Sequence, residues 1–219
     1  MMKLSSYSGN PYIGVYCVAN DKIALVPSDA DEQMVSEFRE ALGVEVVRIT
    51  VSSSHILGSL VAMNSEGAVV TGQIEASELE KLERHIPVIR IEDKLNAAGN
   101  NILINDKGAV VNRNLRPHTV KALENFFGFE CIRLRVAGMD TVGSVCKVTN
   151  KGGICHPKAT PEEMAELSGA LGVEFSPITL NYGSAMVGAC VVANSKGALV
   201  GNISTTIELG HLEEALGLY

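Results

Sequence analysis

Read as a pattern of apolar and polar positions, the chain repeats itself five times. Cutting it at five glycines aligns GVYCVANDKIALVP from Gly14, GSLVAMNSEGAVVTG from Gly58, GNNILINDKGAVVNR from Gly99, GSVCKVTNKGGICHP from Gly143 and GACVVANSKGALVGN from Gly188. Successive starts lie 44, 41, 44 and 45 residues apart, and the blocks need no internal gaps. Positions three and five beyond each glycine are apolar: Cys17 and Ala19, Val61 and Met63, Ile102 and Ile104, Cys146 and Val148, Val191 and Ala193. Intervening positions such as Val18, Ala62, Leu103 and Val192 are apolar too, which predicts a strand buried on both faces and hence an inner strand. A second strand follows a tight turn. The turns Asn64–Gly67, Asn105–Gly108, Thr149–Gly152 and Asn194–Gly197 each begin on Asn or Thr and end on Gly, the pattern of a type I turn closed by a positive-φ glycine. In the first block Ile23 replaces that glycine, so its turn must differ.

A helical pattern follows every hairpin: Met34, Val35, Phe38 and Leu42; Leu79, Leu82 and Ile86; Val120, Leu123 and Phe127; Met164, Leu167 and Leu171; Leu209, Leu212 and Leu216. Capping boxes are predicted at Ser77 with Glu80, Thr160 with Glu163 and Thr205 with Glu208. Gly43, Gly128, Gly172 and Gly217 sit where helix-ending glycines belong, and Pro87 stops the remaining helix. Another strand comes next, as VEVVRITV, PVIRIED, FECIRLRV and VEFSPITL, except after the fifth helix. The missing strand is supplied from the other end of the sequence by Lys3–Tyr7, which closes the ring and removes its sheet edges. The expectation is an α/β fold of five ββαβ units, 1–44, 45–88, 89–129, 130–173 and 174–219, forming one domain around a pseudo-fivefold axis with helices outside. A helix in every unit argues against an all-β propeller.

Composition narrows the function. Apolar residues are 46% and charged residues 20% of the 219, as in a globular chain. The net charge is −7, aromatics are 5% and there is no Trp, a poor basis for sequence-independent grip on nucleic acid. No apolar run reaches the length of a membrane span, and MMKLSSYSGNPY lacks a signal-peptide core, so a cytoplasmic protein without membrane contact is expected. Cys17, Cys131, Cys146, Cys155 and Cys190 are odd in number, lack a CxxC pair and fall mostly in strand patterns; they read as reduced, buried thiols rather than metal ligands. No cofactor is expected.

The chain resembles the archaeal and eukaryotic translation initiation factor six family, the ribosome anti-association factors. The residues that carry the resemblance are Gly58-Ser59, Asn96-Ala-Ala-Gly-Asn100, Val142-Gly-Ser144, Gly152-Gly153-Ile-Cys-His156-Pro157 and the stretch from Asn194 through Thr206-Ile-Glu-Leu. It spans all five units in register and is closest to the archaeal form. The resemblance implies a pentein-type five-bladed α/β propeller that acts as a monomer without catalysis. It implies binding to the inter-subunit face of the large ribosomal subunit, mainly to a ribosomal protein beside the sarcin–ricin loop with limited rRNA contact, so that the small subunit cannot join. A role in large-subunit maturation is also implied.

The segments leading into the inner strands, Asn10–Tyr12, Ser54–Ile56, Asn96–Asn101, Asp140–Val142 and Tyr182–Met186, should share one rim of the ring, where function concentrates. The resemblance places partner-binding residues there at Asn100, Ser59, Ser144 and Val145, with Asn64 lower on the same strand. Asn100 is the first choice, since an amide both donates and accepts. The rival class is a pentein enzyme that attacks guanidino groups with a cysteine. Cys155 and His156 are adjacent in a strand and point to opposite faces, so they cannot act on one another. A generic interaction module is the third class, distinguished by its partner.

Overall fold

The computed structural model describes residues 1–219. Five three-stranded sheets surround a common axis. Counted by sheet, each outer strand belongs to the unit before the one in which the bounds 45–88, 89–129, 130–173 and 174–219 put it: the inner, middle and outer strands are Val18–Ala19, Ile23–Pro27 and Glu45–Ile49 in the first unit; Ala62–Met63, Ala68–Thr71 and Val88–Ile91 in the second. They are Ile102–Ile104, Ala109–Asn112 and Cys131–Leu134 in the third, and Cys146–Val148, Gly153–Cys155 and Phe175–Pro177 in the fourth. The fifth has Val191–Ala193, Ala198–Gly201 and, from the start of the chain, Met2–Ser5. In every sheet the inner and middle strands are antiparallel and the outer one is parallel to the middle. A parallel neighbour requires a crossover. The outer helices Glu32–Leu42, Ala76–Glu83, Pro117–Phe127, Pro161–Leu171 and Thr206–Leu216 provide it, the last one by way of ring closure. Met2 pairs with Ala198 and Ser5 with Gly201, so the predicted closure is present.

Every apolar core is completed across a seam between two units. Val18, Ile23 and Leu25 of the first unit pack with Val61, Met63 and Leu82 of the second. Val192 and Leu199 of the fifth pack with Ile13, Val35 and Phe38 of the first. The remaining three clusters repeat this across the other seams. Each unit therefore lacks the partner for its own apolar face until its neighbour is in place.

Two local readings change. The residues around each repeat glycine, expected as strand, form one-turn helices: Ile13–Tyr16, Leu57–Leu60, Ala98–Asn101, Val142–Val145 and Val187–Cys190. These five turns meet at the axis. A Cβ on Gly58 would fall on the carbonyl oxygen of Gly14; Gly99 stands in the same relation to Gly58, Gly143 to Gly99, Gly188 to Gly143 and Gly14 to Gly188. The glycines at the ends of the hairpin turns are also there for space, since none of Gly67, Gly108, Gly152 and Gly197 has a positive φ. A Cβ on Gly108, Gly152 or Gly197 would strike the carbonyl of Ala170, Ala215 or Ala41, in the last turn of the next unit's helix; on Gly67 it would strike Phe126. Ile23 escapes the rule because the second unit's helix stops at Glu83, eight residues long instead of eleven. Its side chain fills the vacated room against Leu82 and Ile86.

The helix caps follow the pattern with one shift. Thr160 and Thr205 are N-caps that accept from Glu163 N and Glu208 N. In the second unit the cap is Glu75 with Glu78 three residues on, not Ser77 with Glu80. Gly43, Gly128, Gly172 and Gly217 all end helices in the left-handed conformation.

At the far end of the inner strands the turn-starting asparagines form a belt. The Asn20 amide donates to Asn64 O (2.6 Å), Asn64 to Asn105 O (3.1 Å), Asn105 to Thr149 O (3.1 Å) and Asn194 to Asn20 O (3.1 Å). Each Oδ1 also accepts two N–H groups of its own turn, as with Glu66 N and Gly67 N on Asn64. Thr149 closes its turn through its hydroxyl but has no amide to donate onward, so the belt is open between the fourth and fifth units.

Gly99→Ala is expected to destabilise the protein by more than about 4 kcal/mol, because the displaced atoms are backbone. Gly169→Ala, in the last turn of the helix Pro161–Leu171 with nothing near its Cβ, should instead stabilise it by up to about 1 kcal/mol. Urea denaturation of the two variants checks the contrast; equal stabilities would refute the packing account.

Candidate functional site

The five predicted segments do converge on one end of the ring, each between an outer strand and an axial helix. Four are led into by a tight reversal closed by a pair of backbone hydrogen bonds: Tyr7 with Asn10, Val51 with Ser54, Val136 with Met139 and Leu180 with Ser184, at 2.7–3.1 Å. Their tips, Ser8–Gly9, Ser52–Ser53, Ala137–Gly138 and Asn181–Gly183, are left-handed. A left-handed pair turns its N–H groups the same way, and in three units a glutamate in the first turn of the outer helix takes them. Glu78 accepts from Ser52 N and Ser53 N, Glu163 from Ala137 N, and Glu208 from Tyr182 N and Gly183 N. Burial opposes the charge on Glu78, but the Thr50 hydroxyl and the N–H groups of Ser53, Glu75 and Ser52 outweigh it and hold the carboxyl below its ordinary range. Glu208 behaves alike: burial is outweighed by Thr205, Gly183 and Thr179. In the third unit the polarity is reversed, and Asp93 from the rim accepts from Arg116 N and Thr119 Oγ1 of the helix start.

Inside this rim the residue after each repeat glycine circles the axis: Val15, Ser59, Asn100, Ser144 and Ala189. Asn100 and Ser144 are half-buried and joined, with the hydroxyl donating to Asn100 Oδ1 at 3.2 Å. Ser59 is in the same circle but 8% exposed. Two expected contacts are not on the rim surface. Val145 is fully buried in an apolar cluster, because it faces inward from its one-turn helix. Asn64 is 3% exposed at the opposite end, where both ends of its amide are engaged in the belt. Neither side chain is available to a partner at the rim.

The structure adds features that the residue pattern did not single out. Asn112 donates to Asn101 Oδ1 (2.7 Å) and Asn101 to Ala97 O (2.9 Å), a buried chain that fixes the axial helix carrying Asn100. The signal available was an asparagine ending an apolar strand, GAVVN, in line with a second asparagine beside Asn100. Tyr12 and Ile56 cap axial helices and are exposed, and Tyr182 at a reversal tip is 82% exposed. Within the five segments themselves Asp140 is the one charged residue, and it is paired with Arg113 at 2.7 Å. Such a face offers aromatic, aliphatic and amide contacts.

The cysteine–histidine pair has a different character. Cys155 is fully buried and its thiol is pushed up to about 12, by burial and then by Glu163. It pairs across strands with Cys146. His156 is also buried, and its Nδ1 accepts from Lys158 N at 3.0 Å. Burial, aided by Lys158, lowers its basicity. A thiol so disfavoured as thiolate has no nucleophile to offer. No helix is long and apolar enough to cross a membrane.

Known proteins agree with this architecture. Among solved structures, DDAH from Pseudomonas aeruginosa, in complex with citrulline, superposes with a TM-score of 0.51 at 10% identity, covering 90% of this chain and 89% of that one. At that identity the likeness speaks for the pentein-type fold alone. The Translation initiation factor 6 of Thermoplasma acidophilum is 37% identical over 99% of this chain and 100% of its own length. That of Methanosphaerula palustris is 35% identical over 99% and 98%. The pattern of the eIF-6 family matches residues 2–215, and the chain belongs to that family.

Proposed function

We propose that this translation initiation factor binds the inter-subunit face of the large ribosomal subunit through its rim and bars the small subunit by occupying the space. The docking partner is mainly a ribosomal protein beside the sarcin–ricin loop, with little rRNA contact. The protein works as a cytoplasmic monomer without catalysis and also assists large-subunit maturation. The observation that carries this reading is the uncharged circle around the axis, with Asn100 bonded to Ser144 and the exposed Tyr12, Ile56 and Tyr182 around it. Steric blocking requires a rigid body held in place, and a closed ring whose cores span its seams loses little freedom on binding. Apart from Asp140, the charges behind the net −7 lie outside the rim segments, where they favour long-range approach to a basic protein while the axial circle itself stays uncharged. Partner contacts are assigned to Asn100 and Ser144, with Ser59 beside them.

The protein is expected to cosediment with isolated large subunits, not small ones, and to lower the yield of joined ribosomes. Asn100→Asp should weaken cosedimentation about tenfold, the scale of one lost central hydrogen bond, and leave thermal stability nearly unchanged. Failure of the unaltered protein to cosediment would overturn the reading; full binding by the variant would remove Asn100 from the contact.

The rim's order should depend on its glutamates. Glu78 and Glu208 titrate below their ordinary range when folded, so their stabilisation is present above that range and disappears as the pH falls through the depressed values. Glu208→Gln should raise amide hydrogen exchange at Tyr182 and Gly183 about tenfold at neutral pH, with Ala137 unchanged, corresponding to roughly 1.4 kcal/mol of local opening. Equal protection in both proteins would show that the carboxylate does not hold the reversal.

A further inference from the structure

The position four residues beyond each repeat glycine holds Val18, Ala62, Leu103, Lys147 and Val192. Four are apolar, as a buried inner strand demands. The fourth is an ammonium. Lys147 lines an axial cavity of about 40 Å³ that lies between the glycine circle and Met63, Ile104 and Val148, and it is partly exposed there. No hydrogen bond or charge of the chain offsets its burial, which alone lowers its pKa to about 8. It is therefore still mostly protonated at neutral pH. The carboxylates nearest the axis, Asp21 and Asp106, lie beyond the asparagine belt. They are engaged by Asn150, which donates to both at 2.8 and 2.7 Å, and by Ser195 N and Ser65 N.

An ammonium without a partner is disfavoured in such surroundings, and valine or leucine fills the same place in neighbouring units. A charge kept there calls for a counter-charge, and the cavity sets its size. At about 10–15 Å³ per water, the space takes roughly three waters, or one halide-sized ion with a water. Sulfate or a phosphate ester does not fit. The same seam is the least tied: the belt is open between Thr149 and Asn194, and Val191 N does not close the fifth axial helix as the corresponding N–H does in the other four.

We propose that the axial cavity is a binding site for one small monovalent anion of the halide class, chloride in the cell, held by Lys147 and admitted through the seam between the fourth and fifth units. The ion neutralises the one cation inside the ring and joins the two units that the belt leaves unlinked.

Crystals of the full chain grown in bromide test this directly. A bromide anomalous peak on the axis in contact with Lys147 Nζ is expected, and no peak in Lys147→Leu or Lys147→Val, which copy Leu103 and Val18. In solution, melting is compared at equal ionic strength in potassium chloride, bromide and gluconate, the last too large to enter. The unaltered protein should melt about 3 °C higher in either halide relative to gluconate than the variants do, a shift of about 1 kcal/mol for a chain of this size. Only water on the axis, or the same anion dependence in both variants, would overturn the site. If one variant fails to fold, the other carries the comparison.

Discussion

Everything in this ring depends on five backbones meeting where no side chain fits. The carbonyl of each axial glycine occupies the place a neighbour's Cβ would take, so the inner strands begin close enough to the axis for their two or three residues to be buried on both faces. That close approach sets the distance between sheets. The sheets in turn set how far each outer helix lies from the next unit's hairpin, and there a second set of glycines gives way to helix-end carbonyls. The rim inherits its geometry from the same contact, because Val15, Ser59, Asn100, Ser144 and Ala189 each follow one of these glycines directly.

The units are equivalent in backbone and unequal in chemistry, and the inequalities mark where the ring is specialised. Three helices hold rim reversals with a glutamate, the third unit uses Asp93 in the opposite sense, and the first has Met34 at that position. The belt of amides is continuous over four seams and interrupted at Thr149. Only the third unit buries an asparagine pair, Asn101 with Asn112, beneath the rim residue that is best placed to meet a partner.

Much of this was legible in the residues. The repeat, the ββαβ order, the capping boxes at Thr160 and Thr205, the left-handed glycines after four helices and closure by the first strand all follow from local chemistry that each copy carries. The axial helices did not show, because one turn of four residues is too short for a helical period to emerge from an apolar run. The hairpin glycines were misread for a related reason: an Asx–x–x–Gly turn permits positive φ, but the demand for glycine comes from a helix in another unit. Asn64 and Val145 fall in the same class. A residue's number of positions from a glycine gives its height along the axis only roughly, and which way its side chain turns is decided by the helix turn above and the belt below. Ile23 shows the reverse case, an exception visible in the alignment whose cause is a helix one turn shorter elsewhere.

The strand that completes the fifth sheet precedes all the others along the chain, and its partner Ala198–Gly201 follows all the others. A growing chain can stack the first four units as they emerge, but the seam holding Ile13, Phe38, Val192 and Leu199 has only one side until then. Closure of this ring is thus gated by the arrival of Ala198–Gly201: a chain without that strand displays the unpaired edge of Met2–Ser5 and a core that lacks Val192 and Leu199, whereas the closed ring hides both in a single step.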